Sequence, residues 1–336
     1  MMDAMPRTLR SLLLALTLVA LCVPIAAVGA DSDEISRLSD PRIEESSGLV
    51  ISPEHQDLAY TINDGDDGIV FAIKISTGDV VGTTRVRGGE IDDTESIAID
   101  GDGRMWLADL GDNDQERGDA ALYRFPEPGP GRHSVNANRY PVSYEGGPVD
   151  IETFMVHPKT GEKFMAVRNE EGPGKLYSLP KKLTKNGDNR ATDLNRPTPL
   201  DTSDGTFTPS GSQALIRTGF AVHVFDPKTW SEVEELSVPE VDNGESIAME
   251  PDGKSFIIGS EGENSPLIRV AFESEETEAS PTPTPSPTPE TADAADEESD
   301  DGFDIPIYFV VALVAVGALA LVAVWAARGR RTVRRH

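Results

Sequence analysis

The stretch GESIAMEPDGKSF, from Gly244 to Phe256, sets an acidic side chain before a short apolar run and a Pro-Asp-Gly turn after it. Nearly the same phrase occurs at Thr94 to Trp106, TESIAIDGDGRMW, and again at Asp150 to Phe164, DIETFMVHPKTGEKF. Each copy runs Glu, then Ser or Thr, then mostly apolar residues, then a turn, then a second apolar run. A lone surface strand has no use for that order. Self-similarity at a spacing of roughly 40 to 50 residues is the mark of an architecture built from like units.

Working outward, the chain between residues 31 and 272 reads as short strands. Apolar residues alternate or come in short runs, as in LAYTIND, IVFAIKIS, RMWLADLG, KFMAVRNE, AVHVFD and SFIIGSEG, and Gly, Asp, Pro or Asn breaks each run. Regularly spaced short strands with turn signals predict an all-β sandwich, barrel or propeller, and the internal repeat selects a β-propeller. Turn residues Pro53, Gly101, Pro158, Pro209 and Pro251 mark the register, at intervals of 48, 57, 51 and 42 residues. They count five blades. A six-bladed ring, with one weakly marked blade between Leu183 and Asp204, is the alternative. The fifth blade lacks an outer strand, and EISRLSD, Glu34 to Asp40, is expected to pair with it and close the ring.

The two ends carry other signals. Residues 1–30 read as a secretory signal: Arg7 and Arg10, an apolar stretch, then Val28-Gly29-Ala30. Cys22, the one cysteine, falls inside it, so disulfides and cysteine catalysis drop out of the expectation for the exported part. Residues 273–302 form a Pro/Thr-rich acidic stalk, with SPTPTPSPTPE followed by DAADEESDD, which favours extended geometry and offers no core. Residues 303–327 contain 23 uncharged residues from Ile305 to Ala327, long enough for one transmembrane helix. Residues 328–336 hold five arginines and read as a cytoplasmic tail, leaving the propeller outside the cell. The chain carries 58 acidic and 30 basic residues, a formal charge of −28. Such a surface excludes nonspecific nucleic-acid binding, which needs a basic footprint.

Six residues before each turn marker stand Ser47, Glu95, Glu152, Ser203 and Glu245, all bearing oxygen, with Glu45 and Asp204 as near competitors. On the inner strands of a propeller these would share one height around the axis. Three carboxylates converging there repel one another and lose hydration, and a hard divalent cation relieves both penalties. Calcium, which takes six to eight oxygens, fits better than zinc, which prefers His or Cys.

This ring resembles that of the calcium-activated nucleotidases of the apyrase type, five-bladed propellers with a central calcium ion. DLAYTINDGDDGIVFAI and ESIAIDGDGRMWLADLG resemble that family's first two blades, and Arg168, in VRNEEG, falls where the family has an arginine near its active centre. DPRIEESSGL, GDNDQERGDAALYRFPEP and SEGENSPLIRV also resemble secreted, membrane-anchored bacterial propellers of the phytase-like esterase group. The resemblance implies Ca2+ bound at Ser47, Glu95, Glu152, Ser203 and Glu245.

For catalysis the residues offer little. None of the five histidines stands in a recognisable motif, and no glycine-rich phosphate loop or HExxH occurs. Arg168 and Arg217 end second strands of neighbouring blades and are expected to reach one mouth, with Asn63, Asp64, Asp112, Asn113, Asn169, Glu170 and Glu261 on its rim. The sequence therefore predicts a cell-surface binding or scaffold module with a structural calcium, taking a small molecule, glycan or protein at its mouth. The alternatives are a calcium-dependent hydrolase of phosphoanhydrides or phosphoesters, or a lactonase- or esterase-like metal hydrolase.

Overall fold

The computed structural model describes residues 31–273 apart from Asp66, Asp67 and Asn186. The signal segment, all but the first residue of the stalk, the membrane span and the tail lie outside the described residues. The described part is all-β and contains no helix. Strand β1 (Ser32–Leu38) comes first. A first group follows: β2 (Ser46–Ile51), β3 (Leu58–Asn63), β4 (Ile69–Lys74) and β5 (Val80–Arg87). Next come β6 (Thr94–Ile99), β7 (Arg104–Asp109), β8 (Ala121–Pro126), β9 (Gly131–Asn136) and β10 (Asn138–Tyr144). The third group is β11 (Ile151–Val156), β12 (Lys163–Val167), β13 (Gly174–Ser178) and β14 (Asn189–Thr198). The fourth is β15 (Thr202–Phe207), β16 (Ala214–Thr218), β17 (Ala221–Asp226) and β18 (Ser231–Ser237). Strands β19 (Ser246–Met249), β20 (Ser255–Gly259) and β21 (Ser265–Ala271) end the described chain.

Within each group the strands pair antiparallel in chain order, as hairpin connections of a few residues require, except that β9 leaves the second group and β10 takes the place beside β8. The Glu34 stretch does what its position suggested: β1 pairs antiparallel with β21 and gives the last group its fourth strand. The pairing covers an edge that would otherwise expose unpaired amides. Outer strands link neighbours. β9 runs parallel to β5, and β10 pairs with β8 while running parallel to β14, which merges two groups into one eight-stranded sheet. The stretch from Leu183 to Asp204 supplies β14 and the start of β15.

The inner strands set the centre. β2 lies against β6, β6 against β11, β11 against β15, β15 against β19, and β19 back against β2. Each is flanked on both faces, which explains why Ser46, Ala98, Gly205 and Ala248 stand where an ordinary strand would carry bulk. Five apolar clusters fill the spaces between successive groups, and each draws residues from two of them. Tyr60 and Leu107 meet in one, Trp106 and Phe154 in a second, Phe164 and Trp230 in a third. Leu215 and Phe256 share the fourth, Phe71 and Leu267 the fifth. The turns marked by Pro53, Gly101, Pro158, Pro209 and Pro251 close alike, each with one backbone hydrogen bond across it, such as Asp100 N to Arg104 O at 2.9 Å and Glu250 N to Ser255 O at 2.9 Å.

Candidate metal centre

The inner strands do not enter the ring as regular ladders. Between β6 and β7 the register skips Glu95, between β11 and β12 it skips Glu152, and between β15 and β16 it skips Ser203. In β2 the skip falls at Gly48, beside Ser47. At the fifth position the amides of both Glu245 and Ser246 face Gly259. A bulge leaves one residue unpaired and re-aims its side chain. The irregularity thus falls on the marked residue itself at Glu95, Glu152 and Ser203, and one residue later in β2.

The structure brings part of the expected ring together. Glu95 and Glu152 are buried, and their carboxyls lie close enough to act on each other. Glu245 is less deeply placed and lines a small cavity of about 190 Å3 with Arg168, Asp201 and Ser203. The two serines play another part than a free ligand would. Ser47 Oγ donates to the Glu95 carbonyl at 2.7 Å, and Ser203 Oγ donates to the Gly244 carbonyl at 3.3 Å. Each hydroxyl spends its proton stapling one inner strand to the next and keeps only lone pairs for the ring.

A cluster of three carboxylates lies slightly outside that ring. Asp64, Asp93 and Glu95 each present a carboxylate oxygen, and the three oxygens lie within 4.8 Å of one another. Asp93 escaped the sequence reading, although a signal existed. Two residues before each ring position stand Glu45, Asp93, Asp150, Asp201 and Asn243, again all bearing oxygen. Asp64, just after β3, reaches the same place from the neighbouring hairpin. Its loop is held there by its own amide, which donates to the Glu45 carbonyl at 2.8 Å.

The electrostatics are those of uncompensated negative charge. Burial pushes the Glu152 carboxyl up to about 8, with Asp150 adding to the rise and Arg168 opposing it. Burial raises Glu95 well above the ordinary range, helped by Glu152, Asp64 and Asp93. It raises Glu245 to about 7, with Glu261 pushing the same way, and Asp93 to about 6, with Asp64 adding to it. Asp64, Asp150 and Glu261 are also raised, first by burial. Without a cation these groups favour their protonated forms.

Arg168 is the cation of this mouth. Nη1 meets Glu152 Oε1 at 3.1 Å, Nε meets Asp201 Oδ1 at 3.0 Å, and Nη2 lies 3.8 Å from Glu170. Arg217, expected at the same mouth, is not there. It is wholly buried and donates through Nη1 to the carbonyls of Ser246, at 2.5 Å, and Gly259. Gly244 covers its Nη2, where an added Cβ would sit at 2.4 Å. The reason is the second strand's alternation, which turns Arg217 inward beneath Glu245. Of the expected rim, Asp112 and Asn169 serve as turn caps, and Asn63 braces the segment before β2, donating to the Arg42 carbonyl at 2.8 Å. Asp112, for instance, accepts the amides of Glu116 and Arg117 at 2.9 and 3.0 Å.

Asp204, the competitor of Ser203, has a distinct place one step below the ring. Its Oδ2 accepts the amides of Leu49 at 3.3 Å and Ile247 at 3.0 Å, and its Oδ1 accepts Ser96 Oγ at 3.1 Å. It thus bridges four of the five inner strands. Gly48, at φ +44°, leaves room for this convergence, since a Cβ there would stand 3.0 Å from Ser96 Cα and Ile97 N. Below Asp204 come Leu49, Ile97, Phe154 and Ile247, and the chemistry turns apolar.

No protein-family model matches the chain, and no curated protein matches it in sequence.

Proposed function

We propose that the chain is a five-bladed β-propeller, held outside the cell by a C-terminal membrane span, that binds a calcium ion at its acidic mouth and acts as a recognition module there. Support for five blades comes from the cycle of five inner strands and the five apolar clusters between their groups. The observation that carries the calcium reading is the convergence of the Asp64, Asp93 and Glu95 oxygens next to the Glu95–Glu152 pair. The donors are all hard oxygens, with no His or Cys among them, as calcium prefers. Asp64, Asp93, Glu95 and Glu152 would hold the ion, and Glu245 would face it across Arg168. Bound calcium would supply fixed positive charge that lets these carboxylates ionise together.

Arg168 decides between binding and hydrolysis as readings. A calcium-dependent phosphohydrolase needs a cation free to meet a phosphoryl oxygen, and Arg168 stands at the right mouth for one. Its guanidinium, however, already serves Glu152 and Asp201 through direct contacts. That commitment favours the recognition module.

The test is thermal unfolding of the full chain with excess calcium and with chelator. Ligand at about 100 times its dissociation constant adds about 2.7 kcal/mol, which for a domain of this size is roughly 5–10 °C. The expected result is a shift of that size, abolished in Glu95→Gln. In metal-free protein near neutral pH the same substitution should change the melting temperature little, because burial already holds Glu95 in its uncharged form. No calcium shift in demonstrably metal-free protein would sink the reading.

A further inference from the structure

A second cavity, of about 450 Å3, lies between β6–β8 and β11–β12, at the turn end of the molecule. In a chain with nearly twice as many acidic as basic residues, its wall gathers Arg124, Lys159, Lys163, Lys181 and Lys182. Solvated lysines alone would mean little, but Lys163 is not solvated. It opens β12 with 7% of its surface exposed, and its ammonium lies over the Trp106 ring at 5.2 Å. Its one hydrogen bond is to the Gly161 carbonyl at 2.7 Å, leaving two of its three donors unused. Among the described residues, the lysines that pair with carboxylates are Lys74 and Lys175, neither of them here.

The nearest acid cannot serve it. Asp100 Oδ2 already accepts Trp106 Nε1 at 2.8 Å and Arg124 Nε and Nη2 at 2.9 and 2.7 Å. Its Oδ1 accepts the amides of Asp102 and Arg104, both at 3.0 Å. Arg124 is committed to the same carboxylate. Asp102, the other carboxylate of this wall, is exposed and meets Arg124 Nη2 at 3.2 Å, so four lysines face one cavity whose two carboxylates are both engaged by Arg124. A buried ammonium in contact with no carboxylate is costly, and burial lowers the affinity of Lys163 for a proton, with Asp100 opposing from a distance and Arg124 and Lys181 adding to the fall.

We propose that this cavity is an oxyanion site for a small phosphorylated or sulfated molecule of about sugar size, with the anionic group held by Lys163, Lys181 and Lys182. The volume exceeds that of a bare phosphate and suits a group with a polar body attached. The site is separate from the acidic mouth and needs no calcium.

The experiment is calorimetric titration of the full chain with glucose 6-phosphate and with inorganic phosphate, glucose serving as the uncharged control. Saturable binding of a phosphate probe, none of glucose, and no change on adding chelator are expected. Lys163→Met should weaken binding at least about tenfold, the value of one charged hydrogen bond. The exposed double variant Lys181→Ser/Lys182→Ser, which leaves the core untouched, should weaken it several-fold. Failure of both phosphate probes to bind would overturn the proposal, as would unchanged affinity in both variants. Binding lost with chelator would overturn it too, because the anion would then sit on the metal at the other site.

Discussion

At one end of the central ring the inner strands begin at Glu95, Glu152 and Glu245. A few residues further on, the same strands end around Ile51, Ile99, Val156, Phe207 and Met249, which line an apolar cavity of about 630 Å3. The backbone is shared, and so is the curvature. What differs is how each end meets the cost of crowding five strands together. The apolar end takes side chains such as Val156, Phe207 and Met249 out of water, and each of these stabilises the fold. The acidic end accumulates charge that burial penalises, so it lowers stability until something neutralises it. Regions that break the rules of stability in this way are where a ligand is to be sought.

The largest effect should come from the apolar end. Phe154 is 1% exposed and packs against Trp106 with ring centroids 6.1 Å apart. Phe154→Ala should cost about 3–5 kcal/mol through lost transfer energy and the cavity left behind. Denaturant unfolding of the full chain should show the same loss with and without calcium. A loss that shrinks in calcium would show the two ends to be coupled and break the contrast drawn between them.

The acidic end should reveal itself through pH. Glu152 at about 8, Glu245 and Asp204 at about 7, and Asp93 at about 6 all lie above their unfolded values. A carboxyl with a raised folded value holds its proton more tightly in the folded state. Its contribution to stability is complete below the unfolded value, about pH 4, and is lost as the pH rises through the folded one. Metal-free protein should therefore lose a few kcal/mol between about pH 4.5 and pH 8. Calcium, which binds the ionised forms, should flatten or reverse that slope. A melting temperature in chelator that rises over this window would contradict the charge assignment.

How much of this was legible beforehand follows the same division. The repeat fixed the turn positions and the inner strands because each unit must bury the same face, and β1 was readable from an unpaired strand and an incomplete last group. Glu95 and Glu152 were readable because the phrase around them recurs. Asp93 was not, since it precedes the strand in a loop whose direction the phrase does not encode. Arg217 was misplaced because the end of a strand says nothing of which way its last side chain turns. Lys163 carries no signal in the sequence; only the fold lays it across Trp106 from a neighbouring group.

Asp204 sharpens the boundary between the two ends. It accepts three bonds from Leu49, Ile247 and Ser96, and all three are donors. Asp204→Asn keeps the shape but turns an amide NH2 toward a donor, which should cost about 1–3 kcal/mol. The loss should shrink at high pH, where the native carboxylate is itself a burden. Equal losses at pH 5 and pH 8 would mean that Asp204 belongs energetically with the packed end.

The smallest effect is the most discriminating. Arg168 is the mouth's resident positive charge, shared between Glu152 and Asp201. Arg168→Met would leave both carboxylates unpaired and make the mouth more negative by one unit. If the mouth is a calcium-binding recognition site, calcium should bind about tenfold more tightly, the order expected for one charge several ångströms away in a partly solvated site. Calorimetric titration of both proteins measures this directly. If the mouth is instead a phosphohydrolase, wild type should turn over a nucleoside diphosphate in calcium, and the substitution should abolish that turnover whatever it does to calcium affinity. Tighter calcium binding without any turnover in either protein would fix Arg168 as a counter-ion rather than a substrate contact. Weaker binding would mean that Arg168 shapes the site by holding Glu152 in place, and the electrostatic account of the mouth would have to be rebuilt around that pair.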